Sequence, residues 1–430
     1  MKIAIVHDYI KEYGGAERVL EALHDLWPDA PIFTTVYMPE FLGPHKERFK
    51  GWDIRTSFLQ QLPFKHKLIS FFRIISPLVF KSFNFSEFDV IIVSATGAYF
   101  PNTIRVTSNP STSLRPFEAL RSPQALEEAS TEYAVQKRPV LVCYFHTPPR
   151  YLYGYATARD WQKNIITRII GGVGNHILRI VDYNASKNVD YYIANSQEVA
   201  ARIKKFYRRD AKVIYPPVDI QGKTNNYNSS SLSPEGLSLR VEDLKPKTNF
   251  LAGGRLSRPK HIDLIIEACE KLDIPLKIFG KGFAGYGEQL RAKSKGRSDV
   301  IEFVGEVTDE EKWELMRNAK AFIFASEDED FGITPVEAMA AGTPVIAYRS
   351  GGVKETVIEG KTGIFFDELT VESLTKAMKQ FSSLTINPDA CIKQAGKFSK
   401  QRFMRLISSS VNLWTPHFVL PKISTLSKPS

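Results

Sequence analysis

A strand, an acidic loop, a helix and a second strand between Ala321 and Tyr348 restrict this chain to a parallel α/β architecture. Residues 321–325 (AFIFA) do not alternate in polarity, as expected of a strand covered on both faces. Glu327, Asp328, Glu329 and Asp330 form an acidic loop, and Thr334-Pro335 suit a helix start. Residues 336–341 are strong helix formers, Gly342 stops them, and residues 344–347 (PVIA) begin another buried strand. This unit suits the edge of a parallel sheet. Glu329 and Glu337 bracket the helix start with seven residues between them. A helix N-terminus attracts phosphate, and carboxylates beside it accept hydrogen bonds from sugar or ribose hydroxyls. Spacing alone describes a solvated loop acid and a surface helix residue equally well.

At 430 residues the chain is long enough for two domains with separate cores. Met1-Lys2 leads straight into a strand-like run, too short for a secretory leader. No apolar run reaches the ~18 residues of a spanning helix. Cys143, Cys269 and Cys391 lie far apart without a CxxC pair, which argues against a disulfide framework or a zinc site and suits a reducing cytoplasm. The net charge of +10 invites a nucleic-acid partner, but its distribution favours a membrane surface. No acidic residue stands between Asp53 and Glu87, where Arg55, Lys65, Lys67, Arg73 and Lys81 alternate with Phe, Leu and Ile. Such a mixture fits an amphipathic segment on anionic lipid. The same apolar residues also suit packing onto an N-terminal core, and one exposed helix would satisfy both.

Elsewhere the pattern repeats strand then helix. Residues 2–7, 31–36, 89–94, 140–145 and 188–195 read as buried strands, with Ser196 as the N-cap of a basic helix carrying Arg202, Lys204 and Lys205 on a solvated face. Gly14-Gly15 form a turn between the first strand and its helix; without G-x-G-x-x-G this is no dinucleotide fingerprint. His146 ends a strand, where ligands bind in open α/β sheets. Residues 221–247 are polar and linker-like, and residues 107–138 read as a surface insertion with one helix at 124–136. Arg255 and Lys260 flank the loop after the strand at residues 249–254, as a leaving diphosphate requires.

The string E-x-FG-x-x-x-x-E-A-M-A-x-G-x-P-V-I-A, with HDY…GGAER, HTPPRYLYGY and GRL-x-x-x-K, resembles the retaining glycosyltransferases of family 4 and their GT-B fold. The resemblance implies two Rossmann-like domains facing a cleft, with the last helix crossing back to the first domain. It implies an N-terminal acceptor-side domain (1–220), a linker (221–247), a donor domain (248–398) and a terminal helix and tail (399–430). Glu329 would contact the transferred sugar, and Glu337 the ribose. Arg255, Lys260 and the helix start at Gly332, Ile333 and Thr334 would take the diphosphate without a metal. Gly14 and Gly15 would face the donor, His146 would lie at its sugar, and Arg150 and Tyr151 would line the acceptor side. The glycine that usually follows the loop lysine is His261 here. The implied reaction is hexose transfer from a nucleotide-sugar co-substrate, GDP-mannose first or a UDP-sugar, to a glycan or lipid-linked acceptor. It needs no other cofactor and no nucleic acid, and would occur in the cytoplasm or at the inner face of a membrane. A non-transferring epimerase or phosphorylase of this fold, or an inactive nucleotide-sugar-binding protein, stays open at this point.

Overall fold

The computed structural model describes residues 1–105, 138–155, 165–220 and 247–415, with the side chains of 165–170 left aside. Residues 107–137 of the insertion, with its helix at 124–136, residues 221–246 of the linker and the tail after 415 lie outside the described residues. In the first half, β1 (Ile3–His7), α1 (Gly15–Leu26), β2 (Ile32–Thr34), β3 (Ile54–Thr56), α2 (Lys65–Lys81), β4 (Val90–Ala95) and β5 (Val140–Phe145) come in order. They are followed by α3 (Arg150–Tyr153), α4 (Ile165–Ser186), β6 (Tyr191–Ala194), α5 (Gln197–Tyr207) and β7 (Lys212–Val213). The second half runs β8 (Phe250–Gly253), α6 (Ile262–Leu272), β9 (Leu276–Phe279), α7 (Tyr286–Lys293), β10 (Ile301–Gly305), α8 (Asp309–Arg317) and β11 (Phe322–Phe324). Then come α9 (Ile333–Ala340), β12 (Val345–Tyr348), α10 (Val353–Thr356), β13 (Gly363–Phe366), α11 (Val371–Ser382), α12 (Pro388–Ala395) and α13 (Lys400–Trp414).

Two sheets result, seven strands in the order β3-β2-β1-β4-β5-β6-β7 and six in the order β10-β9-β8-β11-β12-β13. Their named pairings are parallel, for example Ile5 opposite Ile92 and Ile323 opposite Ile346. Helices cover both faces, which is why these strands are continuous apolar runs. Each order reverses direction once, between β1 and β4 and between β8 and β11, and ligands bind at the carboxyl ends of strands beside such a switch point. Strand β11 lies between β8 and β12, with β13 beyond, so the acidic-loop unit is interior and not at a sheet edge. The edge expectation failed because β13, a four-residue strand later in the chain, adds outside β12.

Helix α13 leaves the second half and packs on the first. Phe403, Ile407 and Val411, one helical face at i, i+4 and i+8, share a buried cluster with Ile3, Ile5, Val19, Leu20 and Leu23. Helix α2 presents two faces. Phe72, Val79 and Phe80 are buried in the core under the first sheet, while Phe71, Ile74 and Leu78 look outward. Among the described residues no helix is long and apolar enough to cross a membrane.

Candidate functional site

The acidic loop that follows β11 is held by backbone. Gly352 N–H donates to the Glu329 carbonyl at 2.8 Å. A Cβ on Gly351 would fall 2.0 Å from that oxygen, and Gly351 has φ of +65°, so only glycine fits there. The loop turns the Glu329 carboxylate onto the Lys260 ammonium, with Ser326 Oγ donating to it at 2.7 Å. Burial alone would raise the Glu329 pKa; Lys260 and then Arg150 more than offset that and hold it at about 2. Lys260 ends the short turn Arg258–Lys260, and His261 after it adopts left-handed backbone (φ 46°, ψ 44°). That conformation explains why glycine suits the position, and His261 takes it with its imidazole 3.3 Å from Glu327.

Beside this pair, α9 opens at Gly332 without a side-chain cap, so its first N–H groups stay available to an anion. A Cβ on Gly254 would sit 3.7 Å from the Thr334 hydroxyl, which sets the loop carrying Arg255 against the helix start. Across the cleft, a Cβ on Gly15 would come within 2.7 Å of Ile333 Cδ1, so the Gly14-Gly15 turn and α9 meet edge to edge. Arg255 is half exposed and pairs with Glu12 of the opposite wall at 3.3 Å.

Glu337, one turn into α9, is nearly buried and takes two cations on one oxygen. Arg18 Nη1 donates to its Oε1 at 2.5 Å and Lys312 Nζ at 2.9 Å. Burial pushes its pKa up, but Arg18 and Lys312 together pull it below the ordinary value. Asp309 extends the cluster, 3.5 Å from Arg18 and 2.8 Å from Arg48, and is held at about 2 as burial is outweighed by Lys312 and Arg18. Arg18 and Arg48 belong to the first half of the chain, so a charge network with Glu21, continued by Lys400 and Asp25, spans the cleft.

The first domain's wall is built at the ends of β5 and β6. His146 follows β5, its Nε2 2.9 Å from Ser94 Oγ and its carbonyl accepting from Asn195 Nδ2 at 2.9 Å. Burial, with His7 nearby, lowers its pKa to about 3, so the ring is neutral at physiological pH. Arg150 reaches across to the Asp328 carbonyl (2.8 Å) and the Asp330 carboxylate (2.7 Å). Arg202 Nη1 takes the other Asp330 oxygen at 2.7 Å, and Ser196 Oγ donates to the Asp330 carbonyl at 2.5 Å. Tyr151 lies under Arg73, guanidinium to ring centre 4.1 Å. One carboxylate of the second domain, Glu355, caps α5 of the first, accepting from Gln197 N–H (2.8 Å) and Glu198 N–H (3.0 Å).

Residues 240–398 match the family described as glycosyl transferases group 1. An alpha-1,3/1,6-mannosyltransferase (ALG2) of Dictyostelium discoideum is 29% identical over 241 residues, covering 50% of this chain and 56% of that protein. A D-inositol 3-phosphate glycosyltransferase of an Arthrobacter species is 29% identical over 202 residues, 44% and 45% of the two chains. The solved sucrose-phosphate synthase of Thermosynechococcus elongatus superposes with a TM-score of 0.66 at 15% identity, over 97% of this chain and all of that one. Over residues 240–398 the chain is similar to this family, and over nearly its whole length it shares the fold of the solved enzyme. It spans about half the length of the curated relatives it matches. The HepE protein of Anabaena, solved with UDP and glucose, shares the fold at TM-score 0.62 and 19% identity, over 96% of this chain and 99% of that one.

The residues expected at the site fall into three groups. Lys260 and Glu329 are in direct contact, Gly15 and Ile333 meet across the cleft, and Thr334 lies by the loop of Arg255. Glu337 is bonded to Arg18 and Lys312, while His146 is bonded within its own domain. Sequence reasoning missed Arg18, Lys312, Asp330 and Ser94. It also assigned Arg202 to a solvated face, whereas Arg202 is 2% exposed and clasps Asp330. The GGAER string held one usable signal, an arginine on the inward face of α1 directly after the turn.

Proposed function

We propose that this protein is a retaining glycosyltransferase that moves a hexose from a nucleotide-sugar to a hydroxyl of a glycan or lipid-linked acceptor. One observation carries it: an ionised Glu329 bonded to Lys260, beside an uncapped helix start and below a charge network that closes two Rossmann-like domains. In this reading the domains are 1–220 and 248–398, joined by 221–247 and recrossed by 399–430. Arg255, Lys260 and the N–H groups at Ile333 and Thr334 neutralise the departing diphosphate. Glu329 holds sugar hydroxyls, Glu337 the ribose, His146 the donor sugar, and Gly14 and Gly15 let the phosphates approach. No cofactor beyond the donor is invoked. Similarity to a mannosyltransferase supports GDP-mannose, and the UDP and glucose bound to HepE keep UDP-sugars in view. The test is purified full-length protein against GDP- and UDP-sugars, scoring nucleotide release and, by proton NMR, the anomeric configuration of any product. Release from none of them, or an inverted product, overturns the assignment.

We infer further that the protein sits at the cytoplasmic face of an anionic membrane, where a lipid-linked acceptor resides. Helices α2 and α4 both pack against the turn Pro101–Thr103. Their outward residues Phe64, Phe71, Ile74, Leu78, Val173, Ile177 and Ile180 stand 51–69% exposed. Lys67, Lys81 and Arg179 are exposed on the same two helices, whose only acid among the described side chains, Asp182, is buried. Each basic residue near an anionic surface contributes ~1 kcal/mol. Arg73 is a poor probe, because its Nε bonds the Ala98 carbonyl at 3.1 Å. Changing Lys67, Lys81 and Arg179 to Glu should abolish sedimentation with phosphatidylserine vesicles. A folded variant that still sediments like the parent sinks the membrane claim.

A further inference from the structure

Behind His146 the first domain buries a chain of side chains that ends on the first turn of α1. Ser94 Oγ stands between two imidazoles, 2.9 Å from His146 Nε2 and 3.1 Å from His7 Nδ1. His7 is wholly buried, and its Nε2 has no hydrogen-bond partner. The Glu17 carboxylate lies 3.7 Å from that nitrogen, too far for a hydrogen bond but close for a charge in a poorly screened interior. Glu17 is itself fixed, because its other oxygen accepts from Gly14 N–H at 2.9 Å.

A hydroxyl between two imidazole nitrogens has one proton to give, so one neighbour must donate and the other accept. The carboxylate decides which. A lone pair on His7 Nε2 would face a negative oxygen, whereas a proton there is attracted to it. With the proton on Nε2, a neutral His7 presents a lone pair at Nδ1 and accepts from Ser94 O–H. The Ser94 oxygen then accepts from His146 Nε2–H. In that tautomer His146 Nδ1 keeps its lone pair, no described residue bonds to it, and His146 is partly exposed. We propose that Ser94, directed by His7 and Glu17, is a positioning residue that locks His146 in the Nε2–H tautomer, making its free nitrogen a hydrogen-bond acceptor for a donor-sugar hydroxyl. The last clause rests on the transferase reading; the tautomer does not.

Full-length protein carrying 15N-histidine is examined by two-bond proton–nitrogen NMR at neutral pH, with His146 identified by its loss in His146→Gln. The expected result is a neutral His146 protonated at Nε2 in the parent, shifting to mixed tautomers in Ser94→Ala. Should Ser94→Ala fail to fold, Glu17→Gln is read at the same signal and should loosen the preference. A parent His146 protonated at Nδ1, a doubly protonated His7 reversing the chain, or a His146 signal indifferent to both substitutions overturns the proposal. Monodeoxy and monodeoxyfluoro analogues of whichever nucleotide-sugar binds give the second readout. At the hydroxyl that His146 reads, both analogues should lose about tenfold in affinity, because fluorine cannot donate. A fluoro analogue binding like the parent sugar overturns the acceptor role. If no nucleotide-sugar binds at all, the transferase reading falls while the NMR result still decides Ser94.

Discussion

Replacing Arg18 by Met and Glu337 by Gln, singly and together, tests whether the carboxylate proposed to hold the ribose is occupied by the opposite domain when no donor is present. The pair meets at 2.5 Å with side chains 17% and 8% exposed, so solvent screening removes little of its strength. A hydrogen bond between charged groups contributes about 1.5–3 kcal/mol. Lys312 keeps Glu337 neutralised in Arg18→Met, and Asp309 keeps Arg18 partly paired in Glu337→Gln. Each single variant should therefore lose about 1.5–3 kcal/mol of stability and the double variant little more, giving a coupling of that size. For a domain of this class the loss lowers the melting temperature by about 3–12 °C. Nucleotide binding should move in opposite directions. Glu337 Oε1 already accepts from two cations, so under the proposed role ribose hydroxyls would compete with Arg18 for the carboxylate. Calorimetry with GDP and UDP should show Arg18→Met binding tighter, by at most ten- to a hundredfold, and Glu337→Gln weaker by a similar factor. Additive stabilities, or equal weakening by both variants, would refute the competition and make Arg18 a nucleotide contact.

If Arg255 and Lys260 take the departing diphosphate as proposed, Lys260→Met and Arg255→Met should each lower turnover more than they weaken binding of a nucleoside monophosphate; equal loss with every ligand means a structural role. Acid stability has a predictable sign. His146, held near 3 against an ordinary 6.5, carries fewer protons folded than unfolded, so stability falls as pH drops from 6.5 toward 3. Asp182, raised to about 6 by burial, offsets part of this between pH 6 and 3.8. Urea melts across that range should flatten in His146→Gln and steepen in Asp182→Asn. His261→Gly relieves left-handed backbone and should stabilise the loop by about 1 kcal/mol, read as a higher urea midpoint; a lower midpoint would mean its contact with Glu327 outweighs the strain.

Strands and helix starts were legible because each is a local matter of apolar runs and caps; Lys260 and Glu329 each stood out within a local motif, but their contact, 69 residues apart, was not read. Thr308, Ser196 and Ser399 act as N-caps where their residue types predict them. The His261 departure was visible as a missing glycine, and the backbone there is left-handed. What stayed hidden crosses the cleft. Arg18 and Glu337 are 319 residues apart, and nothing near either one names the other. Arg202 looks the same in sequence as its exposed neighbours Lys204 and Lys205, because a basic run carries no mark of which member turns inward. Phe71 and Phe72 are adjacent and equally apolar, yet one is exposed and one buried; only packing separates them.

Helix α13 has a consequence for how the chain is made. Its Phe403, Ile407 and Val411 complete the core that β1 and α1 begin, and Thr415 ends beside Met1. During synthesis at about 5–20 residues per second, roughly 10–40 s separate the emergence of the first sheet from that of its final helix. Throughout that interval Ile5, Leu20 and Leu23 have an open apolar flank on the ribosome, while the second domain is still being translated. The nascent first domain is thus a client for chaperone binding until α13 appears, and a stop codon placed before Lys400 should send the product to the insoluble fraction.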